Sequence, residues 1–316
     1  MTKQCCNCGQ YFFLFSKFTT FSIALSVVFL TSCKSIVEDE FVISRKVPVI
    51  NSLLIADSIF KVNISFSGNL TEVEYPYVSD AIVIIKDSDN NSDTLNYSDK
   101  GTYISDETVG IHKQYFCLVK IPGYNDVVAE AFVPKPGIIS NVIFNKDAGR
   151  GEETELVSSV AFDLNNLPDE KIYWEVNFIE RGIFSEYDFF QRKVVDSYKT
   201  IHHDIYFNPD EIEILKNETP PYNVFSNHSI NKSIYHVKFY FTEYSVDLDS
   251  ERDFYIELRN VDESYYEFQK QYYLYEMAAN VGLGNSNSNY PLYTNIENGL
   301  GLFTAYSTTY AEVFVK

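Results

Sequence analysis

Ser58-Ile59-Phe60-Lys61-Val62-Asn63-Ile64-Ser65-Phe66 largely alternates apolar and polar side chains. Successive side chains of a strand point to opposite faces, so this stretch predicts a strand with one face in a core and one in water. Before it, Val47 to Leu54 is an apolar run. After it, Ala81-Ile82-Val83-Ile84-Ile85-Lys86 is continuously apolar, as expected of a central sandwich strand. Leu95 to Tyr97, Thr102 to Ile104, Tyr115 to Ile121 and Val127 to Val133 complete the set. Short strands at this spacing, with turn residues between them, predict an immunoglobulin-like or transthyretin-like β-sandwich over residues 41–137. Pro134-Lys135-Pro136-Gly137 closes it, because proline donates no backbone hydrogen bond and glycine breaks regular structure.

A second β-rich module is predicted over 138–316, so the fold class is mainly β, two sandwich modules with one helix. Its strand candidates are Ile138 to Phe144, Leu156 to Leu164, Ile172 to Glu180, Lys193 to Tyr198, Ile205 to Phe207, Tyr235 to Tyr244, Phe254 to Leu258 and a closing Tyr306 to Val315. Asn145 to Glu155 and Asn208 to Lys232 read as polar connections. One helix is predicted over about 263–280. Ser264-Tyr265-Tyr266-Glu267 has capping-box spacing. Tyr265, Phe268, Tyr272, Tyr275 and Ala279 then recur at helical steps, a stripe that reads as core. Gly282 stands where the helix should stop. Tyr266 and Tyr273 lie off the stripe. With Tyr290 and Tyr293 they are the candidates for exposed rings on a ligand or partner surface.

The first 32 residues read as a leader. Lys3 and Lys17 are followed by the apolar run Phe21 to Leu30, too short for a membrane span. Leu30-Thr31-Ser32-Cys33 resembles a bacterial lipobox. In lipoproteins of that kind the cysteine is lipidated and the chain is cut before it, which makes Cys33 the first mature residue and 33–40 a lipidated tether. Several acyl chains anchor far more firmly than one. Lys34 is not the inner-membrane retention residue, so the outer membrane is favoured, and Lys34 with Glu38-Asp39-Glu40 loosely resembles a surface-export signal. Cys5, Cys6 and Cys8 would leave with the leader. Cys117 then remains as the one thiol of the body, in the strand-like run Tyr115 to Val119, where it reads as a small hydrophobe.

The chain of 316 residues is 45% apolar and 22% charged, which excludes a disordered chain and a polytopic membrane protein. With 25 basic against 44 acidic residues its net charge is −19, and nucleic acid would repel it. Residues 34–137 carry 9 basic and 15 acidic side chains, and 138–316 carry 14 and 29.

The candidate sites are few. Asp87, Asp89, Asn91 and Asp93 alternate like calcium ligands, but Ser92 replaces the usual glycine and Ser98 the bidentate Glu, so a hairpin turn is favoured over a metal. His202-His203 would point to opposite faces of a strand, which is awkward for joint coordination. No nucleophile elbow, phosphate loop or dinucleotide fingerprint stands in the sequence, no cofactor is implied, and no carboxylate pair stands out. Asp57-Ser58-Ile59 and Asp93-Thr94-Leu95 resemble a three-residue O-glycosylation signal of Bacteroidota.

Tyr293-Thr294-Asn295-Ile296-Glu297-Asn298-Gly299-Leu300-Gly301-Leu302-Phe303, with Asp169-Glu170-Lys171-Ile172-Tyr173-Trp174 and the lipobox, resembles a Bacteroidota lipoprotein family known as domain of unknown function 4249. Family members commonly carry Tyr-Ser-Asn-Ile-Glu-x-Gly-x-Gly-x-Phe, from which this chain departs mainly at Thr294. The resemblance implies a cell-envelope lipoprotein, often encoded beside a TonB-dependent outer-membrane receptor, and no known activity. Gly299 and Gly301 suggest a backbone approach that a side chain would forbid, with Leu300, Leu302 and Phe303 filling the second module's core. The expected function is therefore a non-enzymatic accessory or binding partner of a TonB-dependent uptake system, or else a surface adhesin or glycan-binding module. A peptide ligand remains an option.

Overall fold

The computed structural model describes residues 46–68, 76–151, 155–188, 190, 192–208, 223–228, 230–243, 246, 248, 251–281 and 292–315, with the backbone alone at 188 and 278–281. Cys33, Tyr290 and Gly282 lie outside them. The chain from Lys46 forms one compact unit.

The first half is a run of antiparallel strands: β1 (Pro48–Ile55), β2 (Ile59–Phe66), β3 (Ile82–Asp87), β4 (Ser92–Tyr97), β5 (Thr102–Thr108), β6 (Lys113–Lys120) and β7 (Val127–Val133). They follow the order β1-β2-β5-β4-β3-β6-β7. The predicted alternation is realised: Phe60, Val62 and Ile64 of β2 and Val127, Ala129, Ala131 and Val133 of β7 all turn into one core. Cys117 lies in that core, its thiol pushed up to about 12 by burial, which leaves almost no nucleophilic thiolate.

The second half contains β8 (Ile139–Arg150), β9 (Leu156–Asn165), β10 (Tyr173–Asp188), β11 (Lys193–His203), β12 (Val224–Ser226), β13 (Ile234–Thr242), β14 (Asp253–Val261), helix α1 (Glu263–Val281) and β15 (Leu300–Glu312). A three-stranded sheet, β13-β9-β8, faces the β11-β10-β14-β15 part of the large sheet. Between them lie Phe162, Trp174, Phe178, Phe239, Phe241 and Ile256. Three local expectations fail. β8 runs on to Arg150 through residues expected to be loop, with register shifts that absorb Asp147 at positive φ. Ile205 to Phe207 forms only an isolated bridge at Tyr206. β12 emerges from the stretch read as a polar connection.

β15 joins the halves. It pairs antiparallel with β14 (Ile256 opposite Ala311) and parallel with β1 (Ile50 opposite Gly301, Leu54 opposite Ala305). Phe303 and Ala305 enter the first core and Val313 the second. The expectation that Leu300, Leu302 and Phe303 fill the second module is therefore corrected. The strand starts beside β1, so Phe303 serves the first core and Leu300 stays exposed.

A clasp precedes β15. The Asn295 carboxamide pairs with the Phe303 backbone like a neighbouring strand: its Oδ1 accepts from Phe303 N at 3.0 Å and its Nδ2 donates to Phe303 O at 2.6 Å. Glu297 exchanges backbone hydrogen bonds with Val128 of β7. A methyl at Gly299 would meet Pro48 O and Val127 Cγ1 at 3.0 Å. At Gly301, with φ +104°, a side chain would overlap the Ile50 carbonyl of the parallel partner. The motif is thus a device for seating β15.

The helix agrees with expectation in extent but not in docking. It begins at Glu263, and Asp262 rather than Ser264 takes the cap position, with Glu263 N donating to Asp262 Oδ1 at 2.9 Å. Ser264 instead bridges Asp262 Oδ2 and Thr304 Oγ1. Both Tyr265 and Tyr266 are buried in the first turn, whereas Tyr272 and Tyr275 are exposed. The sheet supports only the start of the helix, so position along the axis decides burial more than position around it.

The Gly301→Val variant is expected to lose roughly 2–4 kcal/mol, from a β-branched residue at positive φ and overlap with Ile50. Urea unfolding checks this with two probes: fluorescence of Trp174, the single tryptophan, in the second core, and alkylation of Cys117 in the first, located by peptide mass mapping. Both midpoints should fall together, because β15 belongs to both cores.

Candidate functional site

Two clusters of polar side chains were not foreseen from the sequence. The first lies on the face of β10, β14 and β15 turned away from the second core. Arg259 Nη1 donates to Glu175 Oε2 at 2.7 Å, and Nη2 lies 2.8 Å from Glu257 Oε2. Tyr265 of α1 donates to Glu175 Oε1 at 2.8 Å and Tyr310 to Glu257 Oε1 at 3.0 Å. Asn177 Nδ2 donates to Glu257 Oε2 at 3.1 Å. Burial works against the Arg259 charge, but Glu175 and Glu257 outweigh it and push its pKa up. This is a close, buried carboxylate pair. However, the guanidinium occupies the space between the carboxylates, where a substrate atom would have to sit, and all four carboxylate oxygens are engaged. The cluster ties β10, β14, β15 and α1 together.

The second cluster surrounds a cavity of about 710 Å³ at the junction of the two halves. One wall is the Pro134–Ile138 stretch. The opposite wall is the 165–172 segment, fixed by two buried asparagines: Asn227 Nδ2 donates to Asn166 Oδ1 and to Glu170 O, and Asn166 Nδ2 to Lys232 O. The floor is the end of β14, Asn260 and Val261, running into Asp262. Burial raises the Asp262 carboxyl from 3.8 to about 6, since the bonds it accepts from Ser264, Glu263 N and Phe132 N offset only part of the desolvation. At the rim Tyr173 donates to Glu263 Oε1 at 2.6 Å, and burial together with that bond pushes its own pKa up. Apolar walls with a few converging polar groups and a perturbed acid are the features by which candidate small-molecule sites are recognised.

The sequence candidates fall elsewhere. Tyr266 is 4% exposed and its ring packs on Tyr173 at 4.7 Å, so it is no exposed platform. Tyr273 and Tyr293 are half-buried. Burial, with Asp262 adding to it, raises the Tyr293 pKa. Asp87, Asp89 and Asn91 form the β3–β4 turn, whereas Asp93 lies within β4 and accepts a hydrogen bond from Ser105. Asp87 Oδ1 accepts from Asp89 N and Asn91 N, and Lys113 Nζ lies 3.0 Å from Asp87 and 2.8 Å from Asp89. Burial opposes the Asp87 charge, but Asn91 and Lys113 hold the carboxyl at about 2. The Lys113 ammonium supplies the positive charge to this turn. Among the described residues no group of three His, Cys, Asp or Glu could hold a metal ion. His203 Nε2 lies 2.9 Å from buried Glu180, which also meets Arg252, and His202 is exposed on the other face.

The model of domain of unknown function DUF4249 matches residues 37–312. The chain belongs to the DUF4249 family. No curated protein matches it. Among solved structures it is similar to a DUF4785 family protein from Legionella pneumophila, at 11% identity and a TM-score of 0.21, over 67% of this chain and 52% of that one. The likeness thus spans about half the length of that structure. In this DUF4249 chain the matched region holds both cores, the junction cavity and the Asn295 clasp.

Removing Arg259 strands two buried carboxylates. Arg259→Met is expected to cost about 3–5 kcal/mol, part of it recovered when Glu257→Gln is added, as read from urea midpoints. For Asp262 the folded pKa lies above the unfolded one. The folded state therefore keeps a proton that the unfolded chain has lost between about pH 4 and 6, and stability falls across that window as pH rises, then levels. Asp262→Asn is expected to remove that fall, roughly 2 kcal/mol, in unfolding curves at pH 4 to 7.

Proposed function

We propose that the protein is a non-enzymatic cell-envelope lipoprotein of a Bacteroidota-type bacterium. It is anchored in the outer membrane through acyl chains on Cys33, faces the cell surface, and serves a TonB-dependent uptake system as a binding partner. The leader, with Leu30-Thr31-Ser32-Cys33 directly after its apolar run, supports the anchor. The observation that carries the binding role is the junction cavity: concave, walled by apolar side chains, with Asn260 and Asp262 in its floor. Among the described residues, three reactive side chains are committed to the frame. Cys117 is buried in a core, and Glu175 and Glu257 are clamped by Arg259.

One observation favours the second reading, a glycan-binding adhesin. Phe268, Tyr272 and Tyr275 form a stacked row along α1, with centroids 6.0 and 6.5 Å apart, and both tyrosines are exposed. Rings presented in this way suit sugar faces.

Capture of the tagged chain from detergent-solubilised outer membranes is expected to bring down a TonB-dependent receptor, and the Cys33→Ala form should leave the membrane fraction. Recovery of no receptor, with glycan binding that Tyr272→Ala and Tyr275→Ala abolish, would replace the first reading by the second.

A further inference from the structure

We propose that β11 is a docking edge for a second copy of this chain, the two copies pairing β11 to β11, antiparallel, about a two-fold axis at Tyr198. The proposal goes beyond the binding role above and does not depend on it. β11 ends the large sheet, with β10 as its neighbour. Its 11 residues pair with β10 from Lys193 to His203 without a register shift, and neither proline nor glycine interrupts them. The side-chain bonds of the strand return to β10. Ser185 donates to Asp196 at 2.7 Å, Lys199 lies 2.6 Å from Glu186, and His203 meets Glu180. Among the described residues no strand pairs with the outer edge, so a row of backbone N–H and C=O groups faces outward there. Another extended backbone is what matches such a row. Natural edges are blunted by shortness, bulges, proline or free lysines. β11 is long and regular, and Glu186 holds Lys199.

The edge also lacks support from its own sheet. β14 accompanies β10 only as far as Arg181, opposite Asp253. Beyond that point Gly182 to Asp188 and Lys193 to Lys199 form a ribbon of two strands among the described residues. A two-stranded ribbon alone is marginal in water, and further strands secure it. One face of this arm presents Ile183, Val194 and Tyr198, which are 62, 63 and 70% exposed. Its charge suits self-association. Two chains of net charge −19 repel one another in general, but residues 181–199 carry 4 basic and 3 acidic side chains.

Pairing about Tyr198 overlaps the whole of Lys193–His203. It sets Val195 against Ile201 of the second copy and Tyr198 against itself. The apolar row that Ile183 and Tyr198 form in register then continues across the joint. No two acids and no two lysines stand opposite. A centre at Asp196 would oppose Asp196 to itself and Lys193 to Lys199, and a centre at Lys199 would oppose two lysines. Centres at Ser197 or Thr200 shorten the overlap. Charge and length thus select one isologous register.

Sedimentation of the full chain in detergent is expected to show a dimer at micromolar concentration. Tyr198→Glu, which sets two carboxylates face to face only in the pair, should weaken it at least about tenfold. The urea midpoint of the dilute chain should stay unchanged, since Tyr198 is exposed. An equimolar mixture of the Tyr198→Glu and Tyr198→Lys forms should recover the dimer. Mild oxidation reads the register. Tyr198→Cys lies opposite itself, within disulfide reach, and should cross-link through that position, as located by peptide mass mapping. Val194→Cys, opposite His202 of the second copy, should not. A monomer at every concentration, a dimer that Tyr198→Glu leaves intact, or equal cross-linking through Val194→Cys would overturn the proposal. A monomer whose arm is shielded from protease only when a receptor is bound would assign the edge to that receptor and overturn the second copy as its occupant.

Discussion

Everything in the fold hangs on one strand with two unlike neighbours. β15 gives one edge to β14 in antiparallel pairing and the other to β1 in parallel pairing. A buried backbone must place its N–H and C=O groups somewhere, and here each half of the molecule satisfies those of the other. The side chains follow the same division, Phe303 to the first core and Val313 to the second. The close parallel approach also explains why Gly301 has no side chain and why an asparagine stands in for backbone at the entry.

That joint also frames the cavity between the two halves. Thr309 Oγ1 of β15 donates to Gly137 O at 2.7 Å, pinning the crossing segment over the end of β14. The asparagine pair at 166 and 227 pins the facing segment. A space bounded by pinned backbone keeps its shape.

The strands with strict alternation, such as β2 and β7, were legible because burial of one face leaves its period in the sequence. β8 beyond Phe144 was not, since both of its faces there are polar, and β12 is too short to show any period. On α1 the periodicity located the helix but misjudged burial. A stripe shows which residues share a face and says nothing of how far along the axis a partner extends. The site was less legible still. Glu175 and Arg259 are 84 positions apart and meet only because β10 pairs with β14. Asn260 and Asp262 bracket a strand end where no local pattern marks them. The Tyr293–Phe303 motif was recognisable, but its purpose became clear only once Asn295 was seen to pair with Phe303.

The way α1 docks grades the mobility of the molecule. The helix runs 19 residues, yet its buried aromatics, Tyr265 and Tyr266, lie in the first turn. The turns beyond carry Tyr272, Leu274, Tyr275 and Met277 at the surface, and the two tyrosines are modest helix formers. Their amides therefore open to solvent at far smaller cost than those of β14 or β15, and they do so without disturbing either core. Among the described residues, the helix thus presents its exposed aromatic rings on the turns that the sheet does not support.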